Sequence, residues 1–303
     1  MTGDRQKAHI SLIVATLIFG LNYAIAKSIV PEPVNPMQLV FLRLAGSLAL
    51  LCVYFFVKAP QKIHRTHWMR FFAAGLTGVA INQVFFFEGI ARTSPLESSI
   101  IHTASPVIVV VFAGFALRER SSFLNWLGVG MGALGATYLV ISQVNGDLAT
   151  THLLGNIFIV VNMLAYSAYM VIVKPLMRYY NATTVMFYVF LTGFVLLLPF
   201  SARQVFFIEF EMFTAQNWAS LFYVMIMSTL FGFILTVFAL KHLKAGTAAY
   251  YMFLQPVVAG IGGFAAGIQQ FNWDMGLAAV LIFGGVYFVS RRGRNGISAK
   301  EGV

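Results

Sequence analysis

The stretch TASPVIVVVFAGFALRER, Thr103 to Arg120, is apolar for most of its length, holds a proline near its start and ends in a burst of charge. At an offset of 150 residues comes FLQPVVAGIGGFAAGIQQ, Phe253 to Gln270, with Pro256 where the first stretch has Pro106. Working outward, residues 90–139 and 240–289 align without a gap, and Gly135 meets Gly285. Upstream, FGLNYAIAK (19–27) aligns with YSAYMVIVK (166–174) at offset 147, so that Lys27 meets Lys174. Identity between the two halves is low. The shared order of turn, apolar helix, polar turn and apolar helix carries the repeat.

The 303 residues are 59% hydrophobic and only 10% charged, with a mean hydropathy of +0.81. Globular domains carry roughly 25% charged residues, and a soluble fold of this composition would expose large apolar patches. An all-α integral membrane protein is the expectation. The net charge of +10 is not gathered on one basic face or arm, so nucleic acid is not an expected partner. The lysines and arginines stand instead between apolar runs, as at loop ends on a membrane surface. The single cysteine, Cys52, lies in an apolar run and reads as a small buried hydrophobe.

A spanning helix needs about 20 mainly apolar residues. Ten runs qualify: roughly 9–29, 36–57, 68–91, 95–117, 123–142, 153–175, 182–200, 218–240, 245–268 and 273–290. The first could pass for a signal peptide, since Ala24-Ile25-Ala26 resembles a cleavage site; its near-spanning length and the runs that follow make it an uncleaved first span. Residues 201–217, with Phe206, Phe207 and Phe210, read as an interfacial piece. Counting charges at the span ends puts sixteen of the twenty Lys and Arg residues on one side and only Arg92 and Arg203 on the other, with Lys27 and Arg43 inside spans. One missed span would scramble that alternation. Both termini are therefore expected in the cytoplasm. The sequon at Asn181 falls on the cytoplasmic side and carries no weight.

The repeat divides the chain into a first half, 1–146, and a second, 147–303, of five spans each. An odd number of spans makes the second half enter the membrane from the opposite side, the inverted repeat of secondary transporters. Pro106 and Pro256 then sit about half-way along the fourth and ninth spans. Proline frees a carbonyl in the preceding turn, which membranes tolerate where a helix faces protein or a wet cavity. The two prolines read as kinks, either for packing alone or bordering a central cavity. Ser105 and Gln255 precede them at the same depth.

FEGIARTSPLESSIIHTASPVIVVVFAGFALRER, followed by a Gly-rich span and preceded by FGLNYAIAK and FLRLAGSL, resembles the EamA-type branch of the drug/metabolite transporter superfamily. The resemblance covers nearly the whole chain and is clearer in the first half; where the family often has a glutamate after the helix of the second half, this chain has Gln269. The resemblance implies ten transmembrane helices in two inverted five-helix repeats and alternating access around a central site. It also implies a multi-pass protein of a bacterial-type plasma membrane. Family members include exporters of amino acids and other small metabolites, and relatives move sugar phosphates and nucleotide sugars.

Ionisable groups within spans cost several kcal/mol on insertion scales, so each is a functional hypothesis. Glu88 and Arg92 are four apart on one helical face. They read either as a stabilising pair near the surface or as an acid that senses protons or binds an amine. Arg43 must pair or face water; Glu88 and a substrate carboxylate are its candidate partners. Lys27 reads as snorkelling to the interface, and Glu97 as part of a helix cap beside Thr93-Ser94-Pro95. His102 lies near mid-membrane with Ser98 and Ser105 around it, and serves either a substrate polar group or an interhelical hydrogen bond. Asn22, Tyr23, Gln83, Tyr166, Tyr169, Tyr250 and Gln255 complete the expected substrate-binding set, with Asn82, Asn162, Thr229 and Thr236 at similar depth. Among many phenylalanines this set makes an aromatic-lined pocket with a few polar contacts. Any single member reads equally as interhelical glue.

The expected function is secondary-active export of a small metabolite, an amino acid or related compound foremost, with protons a candidate coupling ion and gradients the energy source. A facilitator is the runner-up. A membrane-embedded enzyme is the third reading, weakened because His64, His67, His152 and His242 are scattered over loops on both sides. Gly130-Met-Gly132-Ala-Leu-Gly135 fits a dinucleotide fingerprint but lacks the strand that motif needs. Gly128 with Gly132, and Gly263 with Gly267, are spaced for close helix packing. No cofactor and no metal site are expected, and the chain is expected as a monomer or weak homodimer.

Overall fold

The computed structural model describes residues 2–93, 98, 101–102, 104–118 and 153–265, with isolated positions between 123 and 138 and between 277 and 284. The described residues are helical throughout, with turns between. Six helices are long and apolar enough to cross a membrane: α1 (Gly3–Lys27), α2 (Pro36–Val57), α3 (Arg65–Arg92), α5 (Leu153–Arg178), α6 (Ala182–Phe207) and α7 (Ala215–His242). Between them, α4 (Ser105–Leu117) is a shorter apolar helix. After α7 come α8 (Ala245–Tyr250) and α9 (Leu254–Ala265), joined by the 3₁₀ turn Tyr251–Phe253. The fifth and tenth expected spans lie essentially outside the described residues, as do Glu97, Gln269, the GxxxG glycines 128, 132 and 267, and the dinucleotide look-alike apart from Gly130, Met131 and Leu134.

The outer surface is apolar. Phe56 is 90% and Phe115 85% exposed, as suits side chains that face hydrocarbon rather than water. Cys52 belongs to this surface: it is exposed, not buried. Only a third of the apolar window of α2 is inside the protein, and Cys52 sits on the outer face beside exposed Val53. The segment 201–217 folds as short 3₁₀ turns that leave Phe206 and Phe207 exposed, while Phe210 stacks on Trp218 with ring centroids 5.8 Å apart.

The repeat seen in the sequence returns in the packing. α3 packs on α5 and α7 on α1; α4 packs on α5 and α9 on α1; α3 packs on α6 and α7 on α2. Each pair is the other with the halves exchanged, and α2 on α6 exchanges with itself. Local structure repeats as well. Both α3 and α7 contain a π-helical stretch, Leu76–Ile81 and Tyr223–Gly232. Gly46 and Gly193, related by offset 147, let α7 and α3 approach closely; a Cβ on Gly46 would overlap Met225, and one on Gly193 would overlap Val79.

Asparagines open α2 and α6. Asn35 accepts from the Gln38 backbone N–H at 2.9 Å while Gln38 reaches back to the Asn35 N–H at 2.9 Å, a complete capping box with Pro36 in the first turn. Asn181 accepts from the Thr184 N–H at 2.7 Å, so this residue of the sequon is a helix cap. Asn35→Ala is expected to lower stability by about 1 kcal/mol. The shift of the chemical-unfolding midpoint in detergent checks this, and no shift would mean that the cap contributes nothing.

Candidate functional site

A cavity lies where α1, α2, α3, α5 and α7 meet the broken helices around His102 and Met252. The breaks have a common build. His102 is helical, Ala104 is a turn, and α4 restarts at Ser105; in the second half α8 ends at Tyr250 and α9 restarts at Leu254. Pro106 and Pro256 therefore lie in the first turn of the restarted helix, where a missing N–H costs nothing because that position has no intrahelical acceptor. They follow the break rather than bend a continuous helix.

Of the residues singled out in the sequence, Asn22, Tyr23, Arg43, Gln83, His102, Tyr166 and Gln255 line this cavity, together with Asn82 and Asn162. Tyr23 and Gln255 link α1 to α9, the tyrosine hydroxyl donating to Gln255 Oε1 at 3.4 Å. Asn162 Nδ2 donates to the Asn82 carbonyl at 2.7 Å, and Asn82 Nδ2 lies 3.4 Å from the Asn162 carbonyl. This reciprocal pair follows directly after the π stretch of α3, where the backbone ladder changes register.

Six expected residues stand elsewhere. Tyr169 is one layer back: its hydroxyl donates to Met186 Sδ at 3.4 Å, and its ring packs 5.9 Å from those of both Tyr166 and Phe233. Tyr250 is buried in α8 away from the cavity wall. Ser98 and Ser105 are fully buried, also off the wall. Glu88 and Arg92 form an ion pair with each other at a second, surface depression bounded by Pro31, Asn35, Met37 and Gln204. Glu88 is thereby removed as the partner of Arg43.

Phe19, Phe86, Ser228, Phe233 and Met252 line the cavity but had not been singled out by number. The repeat held a signal for three of them. Phe19 is Tyr166 at offset 147, Phe233 is Gln83 at offset 150, and Met252 is His102 at offset 150.

The electrostatics of the cavity are one-sided. Arg43 is 2% exposed; its Nε donates to Thr229 Oγ1 at 2.6 Å, and its guanidinium carbon lies 4.7 Å from the Phe87 ring centroid. The Thr229 hydroxyl in turn donates to the Val224 carbonyl at 2.6 Å, five residues back in the π stretch. No Asp or Glu is among the described residues that line the cavity. Asn22 Oδ1, Gln83 Nε2 and Asn162 Oδ1 are buried without a hydrogen-bond partner among the described residues. Neither ring nitrogen of His102 makes a hydrogen bond of normal geometry, with Asn162 its polar neighbour. Buried polar atoms are ordinarily satisfied. Asn22, Gln83, His102 and Asn162 bring these groups together at a single cavity. Among the described residues no group of His, Cys, Asp or Glu could hold a metal ion.

A model of the EamA-like transporter family matches residues 6–141 and 153–291. An "Uncharacterized transporter" of Archaeoglobus fulgidus is 22% identical over 95% of this chain and 98% of its own. "Uncharacterized transporter YetK" of Bacillus subtilis is 21% identical over 92% of this chain and 86% of its own. "Protein WALLS ARE THIN 1" of Arabidopsis thaliana is 23% identical over 95% of this chain and 84% of its own. One crystal structure superposes with a TM-score of 0.74 over 96% of this chain and 99% of that one, at 19% identity, which shows a shared fold. With the family matched twice along the chain, the halves exchanging their contacts and a polar cavity between them, this chain is a multi-pass membrane protein that belongs to the EamA-like transporter family.

Proposed function

We propose that this protein is a secondary-active carrier that exports a small metabolite, an amino acid or related compound, by alternating access through the central cavity. Two inverted five-helix repeats, 1–146 and 147–303, surround the site; both termini face the cytoplasm, and the membrane is the bacterial plasma membrane. Asn22, Tyr23, Gln83, His102, Tyr166 and Gln255 contact the substrate. Ser98, Ser105, Tyr169 and Tyr250 support these from behind, and Pro106 and Pro256 set the restarts of the broken helices. Glu88 and Arg92 stabilise the mouth by pairing. The observation that carries this reading is the convergence of unsatisfied buried polar atoms on a cavity between repeat-related elements. The exchange of contacts between halves supports a mechanism in which one half rocks against the other.

The test is uptake of a labelled amino-acid panel into proteoliposomes holding the purified protein, with and without a pH gradient. Accumulation of one class only under the gradient is the expected result. Equilibration without a response to the gradient would make the protein a facilitator. No movement of any amino acid would overturn the amino-acid assignment and turn the search to phosphorylated metabolites.

A further inference from the structure

We infer, resting on the carrier reading for what the cavity is for, that its substrates carry one carboxylate and an apolar, preferably aromatic, body. The carboxylate sits on the Arg43 guanidinium, and the body lies against Phe233, Tyr166 and Met252.

Two independent observations lead there. The first is charge. A cation at this depth costs several kcal/mol to bury and is retained only when something meets it. Among the described residues the ion pairs are Lys7 with Asp4 and Arg92 with Glu88, neither in the cavity. Arg43 spends one of its five N–H donors on Thr229 and turns one face to Phe87. Its two Nη groups are left for the cavity, and the described wall offers no acid. A planar fork of donors matches a carboxylate in bidentate fashion. The Thr229 hydroxyl is polarised by its own bond to Val224, so it holds the guanidinium in place without neutralising it.

The second observation is a broken symmetry. The repeat makes the two halves alike in backbone, and the cavity draws on matched positions of both. The chemistry at those positions differs. Gln83 answers to Phe233, His102 to Met252, and Arg43 at offset 147 to Phe190, whose ring packs 5.8 Å from that of Phe233. At these three pairs a polar group stands in the first half where an apolar one stands in the second, while Phe19 against Tyr166 runs the other way. A symmetric site would suit a uniformly polar or uniformly apolar solute. This one suits a molecule with a charged end and an apolar end, lying across the interface of the halves.

The experiment uses three ligands with one body: phenylacetate, phenylacetamide and phenethylamine. Their binding to the full chain in detergent is titrated by thermal stabilisation, and uptake of labelled phenylacetate into proteoliposomes runs alongside. Phenylacetate is expected to bind at least about tenfold tighter than the amide or the amine, the usual strength of a charge-assisted pair. Arg43→Gln is expected to bring the acid down to the level of the amide. Arg43→Lys keeps the cation and is expected to keep the acid preference at about tenfold lower affinity, because the fork is lost. It also serves if Arg43→Gln does not fold. Cys52→Ala, on the outer face of the same helix and away from the cavity, is expected to keep the acid preference. Equal affinity for acid and amide in the unchanged chain, or an acid preference that survives Arg43→Gln, overturns the proposal. A uniform loss of all three ligands would make Arg43 a strut between α2 and α7 and overturns it too. Acid-selective binding without flux keeps the anion site and removes the carrier reading; flux of amino acids without acid selectivity does the reverse.

Discussion

Gly78→Val is expected to lower the stability of the protein by about 3 kcal/mol, at the upper end for overpacked cores. Gly78 sits in the π stretch of α3, and a Cβ there would overlap the ring of Tyr169 on α5. The ring has nowhere to go. It is fully buried, its hydroxyl reaches Met186, and Tyr166 and Phe233 pack against it. Movement of Tyr169 would push both of those into the cavity that they line. Stability and ligand binding should therefore fall together. The midpoint of chemical unfolding in mixed micelles reads the first, and the same titration of phenylacetate reads the second. Tyr169→Ala introduced with Gly78→Val should recover part of the loss, because the two changes share one contact and are not additive. A valine variant within about 0.5 kcal/mol of the unchanged chain, the range of an ordinary surface substitution, would show that α3 and α5 are not held at this distance.

Lys27→Met is expected to cost about 2–3 kcal/mol, several times the effect of an ordinary surface charge. The Lys27 ammonium donates to the carbonyls of Ile90 at 2.8 Å, Ala91 at 3.2 Å and Thr93 at 3.2 Å. These are the orphan acceptors at the C-terminus of α3, where a positive charge is also favoured by the helix dipole. Methionine keeps the stem and leaves three carbonyls bare. The repeat-related Lys174 donates to the carbonyls of Leu240 and Leu243 at the end of α7, each 150 residues beyond its counterpart. Lys174→Met should therefore cost a similar amount. Lys27→Arg, which keeps the donors and the charge, should recover most of the stability. Unfolding midpoints of the four proteins decide this; a neutral Lys27→Met would return the lysine to the role of a snorkelling side chain.

The lysine pair shows how far the sequence could be read. Its alignment at offset 147 was visible, and so was the repeat it belongs to, because apolar runs and charge alternation are properties of the chain taken in order. Its partners were not visible. They lie more than sixty residues away, and backbone carbonyls leave no mark in a sequence. The π stretches were equally hidden, since neither LTGVAI nor YVMIMSTLFG carries a signal that separates them from an α-helix.

Composition and periodicity alone made this a helical membrane protein, divided it into repeated halves and named most of the polar residues at depth. Those inferences rest on one-dimensional quantities: the length of apolar runs, the side on which charges fall and the recurrence of a pattern. Which of the polar residues meet each other is a different kind of fact. Tyr166 and Tyr169 are three apart on one helix, yet one lines the cavity and the other packs against Gly78 and Met186. Glu88 and Arg43 both lie within spans, yet the acid closes on Arg92 and leaves the cation facing the cavity. Those outcomes are set by how α3, α5 and α7 cross. A rotation of about 100° per residue, with an added residue in each π turn, decides which side chain points inward only once the neighbouring helix is in place.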